Sequence, residues 1–141
     1  MRHALSLACG LALVVAGCGG GSGGQVGPDA PKERVALQEI GEVYRIYTLT
    51  NSKPPAKFAD LKPLKNLGAV GVSALETGVV VVRYGATMAE TAEGPAKARS
   101  EEILAYEKKV PEGGGEVLML DRTIRKMTAD EFKAARKAGK G

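Results

Sequence analysis

The chain has 141 residues and a formal net charge of +4, set by 20 basic and 16 acidic side chains, a length that bounds it to one domain or two. Its only histidine is His3 and its only cysteines are Cys9 and Cys18. If these belong to a leader, the remaining body has no His, no free Cys and no Trp. That excludes His-ligated zinc, Ser-His-Asp and Cys-His catalysis, Cys-held iron–sulfur clusters and disulfide scaffolds.

In chain order, Met1-Arg2-His3 is a short basic start and Ala4 to Ala16 is an apolar stretch of 13 residues. A membrane-spanning helix needs about 20, so the stretch predicts the hydrophobic region of a secretory signal peptide over residues 1–17. It ends in Val15-Ala16-Gly17-Cys18, which resembles the lipobox of bacterial lipoproteins. The resemblance implies a diacylglyceryl thioether on Cys18, cleavage between Gly17 and Cys18, and acylation of the new amine with a palmitate-type chain. Two or three acyl chains exceed what stable anchoring in a bilayer needs, at about 0.8 kcal/mol per buried methylene. Gly19 stands where Asp would mark inner-membrane retention, so the resemblance implies the outer membrane of the cell envelope. Gly19 to Gly27 has six glycines in nine residues and predicts a flexible tether reaching roughly 15–20 Å. No Lys-Ser/Thr follows at P-loop spacing, which sets phosphate cradling aside. Residues 18–27 thus read as lipidated cysteine and tether, and residues 28–141 as a small body.

The body holds 25 Leu, Ile, Val and Phe residues in 114, a thin but sufficient supply for a core. Its charge is uneven. Arg122 to Gly141 carries seven basic and two acidic residues, while Pro28 to Asp121 carries 12 and 14. Asp29 can cap a helix with Pro31 in its first turn. Ala36, Ile40, Val43, Tyr44 and Tyr47 recur at helical spacing, and Lys53-Pro54-Pro55 ends the helix near Thr50-Asn51. Phe58, Leu61, Leu64 and Leu67 predict a Pro-punctuated loop stapled to the core. Val79 to Tyr84 predicts a strand from its four valines. Glu90 to Ser100 predicts a loop, Glu102 to Glu107 a second strand, Pro111 to Gly115 a turn, Val117 to Leu120 a third strand and Thr123 to Met127 a fourth. Thr128-Ala129-Asp130-Glu131 is a capping box that opens a short C-terminal helix to about Lys137. The class is α+β: one long N-terminal helix on one face of a three- to four-stranded antiparallel sheet, with a short C-terminal helix.

The helix ending in Tyr44-Arg45-Ile46-Tyr47, the following Asn51-Ser52-Lys53-Pro54-Pro55, Asp60-Leu61 and the strand Val117 to Asp121 resemble the globular part of type II secretion major pseudopilins and pilin-like proteins. The prepilin cleavage motif of that group is replaced here by the lipobox. Residues 121–133 are also similar to the end of small uncharacterised bacterial lipoproteins.

Among candidate sites, helical spacing would put Lys133, Arg136 or Lys137, and Lys140 on one basic face, with Arg125 and Lys126 upstream. That face could contact an anionic polymer or lipid surface; equally, cations suit a helix C-terminus. Glu112, Glu116 and Asp121 surround a Gly-rich turn and offer hard oxygens, without the pattern of a calcium loop. Glu76, Glu90, Glu93, Glu101 and Glu102 have no spacing that fixes two at the separation glycoside hydrolysis needs. Ser73 and Ser100 lack a Ser-x-x-Lys context. Tyr44 and Tyr47 read as core residues with hydroxyls at the rim. No catalytic residue, metal, cofactor or nucleic acid is expected. The expected partners are the bilayer, through the acyl anchor, and an envelope protein or anionic polymer. The function expected is that of a non-catalytic envelope binding module. A pilin-like accessory of a secretion apparatus and a carboxylate-dependent hydrolase are the alternatives.

Overall fold

The structure, a computed structural model, describes residues 31–94 and 96–141. The expected signal peptide, Cys18 and the tether lie outside the described residues, as does Asp29; Pro31, expected in the first turn of the helix, is instead its N-cap, with an extended backbone and no side-chain cap. In chain order the elements are α1 (Lys32–Asn51), α2 (Phe58–Leu61), a 3₁₀ turn (Lys62–Leu64), α3 (Ala69–Glu76), β1 (Val80–Val82) and β2 (Glu102–Glu107). There follow α4 (Val110–Gly113), β3 (Gly115–Met119), β4 (Ile124–Met127), α5 (Ala129–Ala134) and β5 (Arg136–Lys137). The class is α+β, as the sequence predicts. Among the described residues no helix is long and apolar enough to cross a membrane.

Helix α1 forms because its apolar residues recur every three or four positions. Ala36, Leu37, Ile40, Tyr44 and Thr48 are buried along it, and each large apolar side chain contributes about 1.5–3 kcal/mol on leaving water. It stops at Ser52, which adopts the left-handed conformation, just before the two prolines that cannot continue it. Leu37, Ile40 and Tyr44 pack on Val80, Val82, Leu104 and Leu118 of the sheet.

The sheet runs β1-β2-β3-β4 with antiparallel neighbours. A fifth, two-residue strand, absent from the sequence reading, pairs parallel to β2 through Glu102↔Arg136 and Ile103↔Lys137. Sheet polarity is set by a bulge. Ile103 pairs with Met119 but Ala105 pairs with Leu118, so β2 carries one residue more than β3 there, and its alternation of faces is reset. Leu104 and Ala105 both join the α1 side. Ile103 and Tyr106 join Val117, Met119, Val110 and Phe132 on the other side. The sheet is therefore covered on both faces, by α1 on one and by α4 and α5 on the other. The sequence predicts a helix on one face only.

The segment expected as a loop is helical. Leu61 is fully buried with Val43 and Val72, and Phe58 and Leu64 pack beside them, but Leu67 is exposed. Helix α3, unpredicted, has the sequence AVGVSALE, whose β-branched residues and glycine are weak helix formers. Its docking on α1 supplies what propensity does not. At Gly71 an added Cβ would sit 2.9 Å from the Ala36 carbonyl and 2.9 Å from Glu39 Cβ, so only glycine lets the two helices approach this closely. The Gly71 N–H donates to Glu39 Oε2 at 2.8 Å.

Helix α5 starts as predicted. The Thr128 hydroxyl accepts from Glu131 N at 3.2 Å, and Glu131 Oε2 accepts from Thr128 N at 2.7 Å. Thr128→Ala is expected to lower the unfolding free energy by about 1 kcal/mol, measured by urea titration. An unchanged midpoint would show that the cap adds nothing to α5.

Candidate functional site

An open groove of about 830 Å³ lies where the α4–β3 and β4–α5 junctions meet, with the start of α1 at its rim. Its floor is backbone. Gly114 has φ +70°, and a Cβ there would fall 2.8 Å from the Met127 carbonyl, so a side chain would push the two junctions apart. At Gly115 a Cβ would sit 2.9 Å from Glu107 Oε2; the missing side chain makes room for that carboxylate.

Five glutamates and two lysines line the groove, a net charge of −3. The glutamates come from four places in the chain: Glu33 on α1, Glu107 at the end of β2, Glu112 and Glu116 around the Gly-rich turn, and Glu131 on α5. Glu107 has a side chain only 7% exposed, and Lys109 Nζ stands 2.9 Å from its Oε2 as an ion pair. That carboxylate holds the Lys109 ammonium above the usual lysine range. Glu116, 19% exposed, uses Oε1 to accept from Arg34 Nε at 2.9 Å and Nη2 at 2.6 Å. Its Oε2 accepts nothing. Glu107 Oε2 thus has the Lys109 ammonium as its partner, whereas the buried Glu116 Oε2 has none. The Gly113 and Gly114 amides are engaged within the turn, donating to the Lys109 and Val110 carbonyls. The excess of carboxylates favours a cationic, hydrogen-donating group.

The residues singled out in the sequence fall as follows. Val15, Ala16, Gly17 and Cys18 lie outside the described residues. The shared helical face of Lys133, Arg136, Lys137 and Lys140 does not form. Helix α5 ends at Ala134, and Ala135 is already extended, because the chain turns there to pair with β2. Lys133 stays on α5, 3.6 Å from Asp130. Lys137 Nζ folds back onto the carbonyls of Phe132, Lys133 and Ala135 and lies 4.5 Å from the Phe132 ring centre. Its charge is spent on the helix end that propensity alone would have extended. Arg136 is exposed on β5, and Lys140 bridges to Tyr84 through its backbone.

Of the three residues around the Gly-rich turn, Glu112 and Glu116 share the groove, and Asp121 does not. Asp121 is a turn residue. It accepts from Ser100 N at 3.0 Å, Thr123 N at 3.0 Å and Thr123 Oγ1 at 2.6 Å. Burial pushes its carboxyl up, but these hydrogen bonds outweigh burial and hold it below the usual aspartate range. Among the described residues no three acidic side chains converge as metal ligands. The scattered carboxylates have structural partners: Glu76 pairs with Lys65 at 3.0 Å, Glu101 with Arg125 at 2.8 Å, and Glu90 accepts from Lys97 N at 2.8 Å. Ser100 Oγ accepts from Glu102 N at 3.2 Å.

Tyr44 corrects the expectation of a rim hydroxyl. Its ring and oxygen are fully buried. The hydroxyl donates to the Ala86 carbonyl at 2.9 Å and accepts from Ala86 N at 2.8 Å. Tyr47 is half-buried against Val43, Leu61 and Val72.

Glu33, Glu107 and Glu131 join this lining without any local signal in the sequence. They are far apart in sequence, and only the strand pairing, the capping box and the placement of α1 bring them together. Comparison with protein-family models, curated proteins and solved structures finds no match.

Proposed function

We propose that this chain is a bacterial envelope lipoprotein, anchored through acyl chains on Cys18 in the outer membrane, whose α+β body is a non-catalytic binding module. The observation that carries the reading is Val15-Ala16-Gly17-Cys18 at the end of a 13-residue apolar stretch, followed by a glycine-rich tether. The body supports it by offering a charged, open groove, while Glu76, Glu90, Glu101 and Asp121 serve ion pairs and turns.

The test is at the anchor. Cys18→Ser is expected to abolish incorporation of labelled palmitate and to leave the precursor uncleaved, because a hydroxyl cannot form the thioether. Normal acylation and processing of that variant would falsify the reading. Crosslinking in intact cells with the wild-type chain as bait, read by mass spectrometry, then names the envelope component bound.

A pilin-like accessory of a secretion apparatus is the second reading, favoured by the long α1 laid on an antiparallel sheet. It predicts recurrent capture of secretion-apparatus subunits in the same crosslinking experiment.

A further inference from the structure

After β1 the chain runs along one flank of α1, and side chains rather than backbone pairing hold it there. Among the described residues, 87–92 make no backbone–backbone hydrogen bond. Tyr44 pins Ala86 at the near end. Met88, 6% exposed, then plugs the α1 side of the core. Beyond Met88 two guanidinium groups do the holding. Arg45, itself buried, donates from Nη1 to the Thr91 carbonyl at 2.8 Å. Arg122 donates from Nη2 to the Ala92 carbonyl at 2.9 Å.

By local rules an arginine is out of place at position 122. It closes the β3–β4 hairpin with φ +67°, its N–H donating to the Met119 carbonyl at 2.9 Å while Met119 N donates to the Thr123 carbonyl at 2.8 Å. Such a three-residue turn calls for a left-handed residue, a conformation that glycine takes without strain. The Arg122 Nε is also buried without an acceptor. Neither the hairpin nor the guanidinium itself benefits from arginine here; the segment after Ala86 does. The Arg122 stem lies beside Gly41 of α1, where a Cβ would come within 3.8 Å of its Cγ.

We propose that residues 88–92 are a strap over the flank of α1 at Gly41 and Arg45, with Arg122 as its latch, and that the strap opens as a unit while the sheet stays folded. Opening exchanges two hydrogen bonds to carbonyls for bonds to water and breaks no backbone pairing. Arg45 stays neutralised, since Glu42 keeps its Nε at 2.9 Å and its Nη2. The orphaned Arg122 Nε gains water, so the open state cures a defect of the closed one. Only Met88 loses apolar cover. The flank of α1 and the seat of Met88 form a surface that the chain presents in the open state and withholds in the closed one.

The test treats the full chain in nonionic detergent with dilute hydrogen peroxide and follows sulfoxide at Met88 and Met119 by mass spectrometry. Met119 is fully buried and reports loss of the sheet. In wild type Met88 is expected to oxidise faster than Met119, at a rate that low urea leaves unchanged, because a local opening exposes little new surface. That readout needs no variant. Arg122→Gly removes latch and backbone strain together. Its Met88 is expected to oxidise about fivefold faster or more, with Met119 unchanged and the urea midpoint unchanged or raised. Met88 and Met119 oxidising in step in wild type would tie opening to global unfolding and overturn the proposal. An Arg122→Gly variant whose Met88 is no more reactive would overturn it too, since the guanidinium would hold nothing. So would a lowered urea midpoint in that variant, which would make Arg122 a support of the whole fold rather than a latch.

Discussion

Replacing Tyr44 with Phe is expected to lower the unfolding free energy by about 2–4 kcal/mol. The phenol oxygen satisfies both backbone groups of Ala86, and Ala86 is itself buried. Removing one oxygen therefore orphans a donor and an acceptor where water does not reach. The same contact ties the start of the long β1–β2 connection to the middle of α1. The loss has a pH signature. Burial pushes the Tyr44 hydroxyl up from 10.0 to about 12, against the opposing pull of the Ala86 hydrogen bond. The folded chain then holds the proton more tightly than the unfolded chain. Its contribution is complete below pH 10 and is lost as pH rises from there toward about 12. Urea titrations between pH 8 and pH 12 should show wild type losing stability on the alkaline side more steeply than Tyr44→Phe. A variant as stable as wild type, or parallel alkaline slopes, would mean that the hydroxyl is not the anchor.

Phe132→Ala is expected to lower the unfolding free energy by about 3–5 kcal/mol. Phe132 is the largest side chain that α5 gives to the core beyond the sheet. It stacks tilted on Tyr106, ring centres 4.7 Å apart, and carries the Lys137 ammonium on its face. Truncation removes the ring, its cation and the surface against which Ile103, Val117 and Met119 close. For a domain of this size the midpoint of thermal unfolding should fall by more than about 10 °C. Hydrogen exchange should rise first at Ala138, whose N–H donates to the Ile103 carbonyl, while α1 keeps its protection. A loss confined to α1, or a midpoint unchanged, would place the weight of the fold elsewhere.

How much could be read from the chain differs by element. Helix α1 was legible to its last residue because amphipathic spacing and the Lys53-Pro54-Pro55 stop agree. Strand β2 and the capping box of α5 were legible for the same kind of reason: each carries its signal locally. Helix α3 was not, because valines and a glycine are locally poor in helix signal, and its stability comes from contact with α1. Strand β5 was not, because a two-residue strand is defined by its partner Ile103 rather than by Arg136 and Lys137. The groove was half legible. Glu112 and Glu116 flank a run of glycines and share the groove, whereas Asp121, close to them in sequence, is taken up by a turn. Glu33, Glu107 and Glu131 carry no mark of a shared site in the sequence, since tertiary contacts alone assemble them.

The extra residue in β2 has a bearing on how this chain can change. With Ile103 and Ala105 pairing to adjacent residues of β3, the strand is two short runs written in opposite phase. Deleting Leu104 would remove the bulge and leave Ile103, Ala105 and Tyr106 opposite Met119, Leu118 and Val117, with each remaining side chain on its present face. The α1 side of the core would lose one buried leucine, while Tyr106 would keep Phe132 and Glu107 its place in the groove. A length change at Leu104 is thus absorbed in place, whereas the same change at Ala105 or Tyr106 would remove a paired residue. A relative of this protein can lack the bulge and still keep the groove.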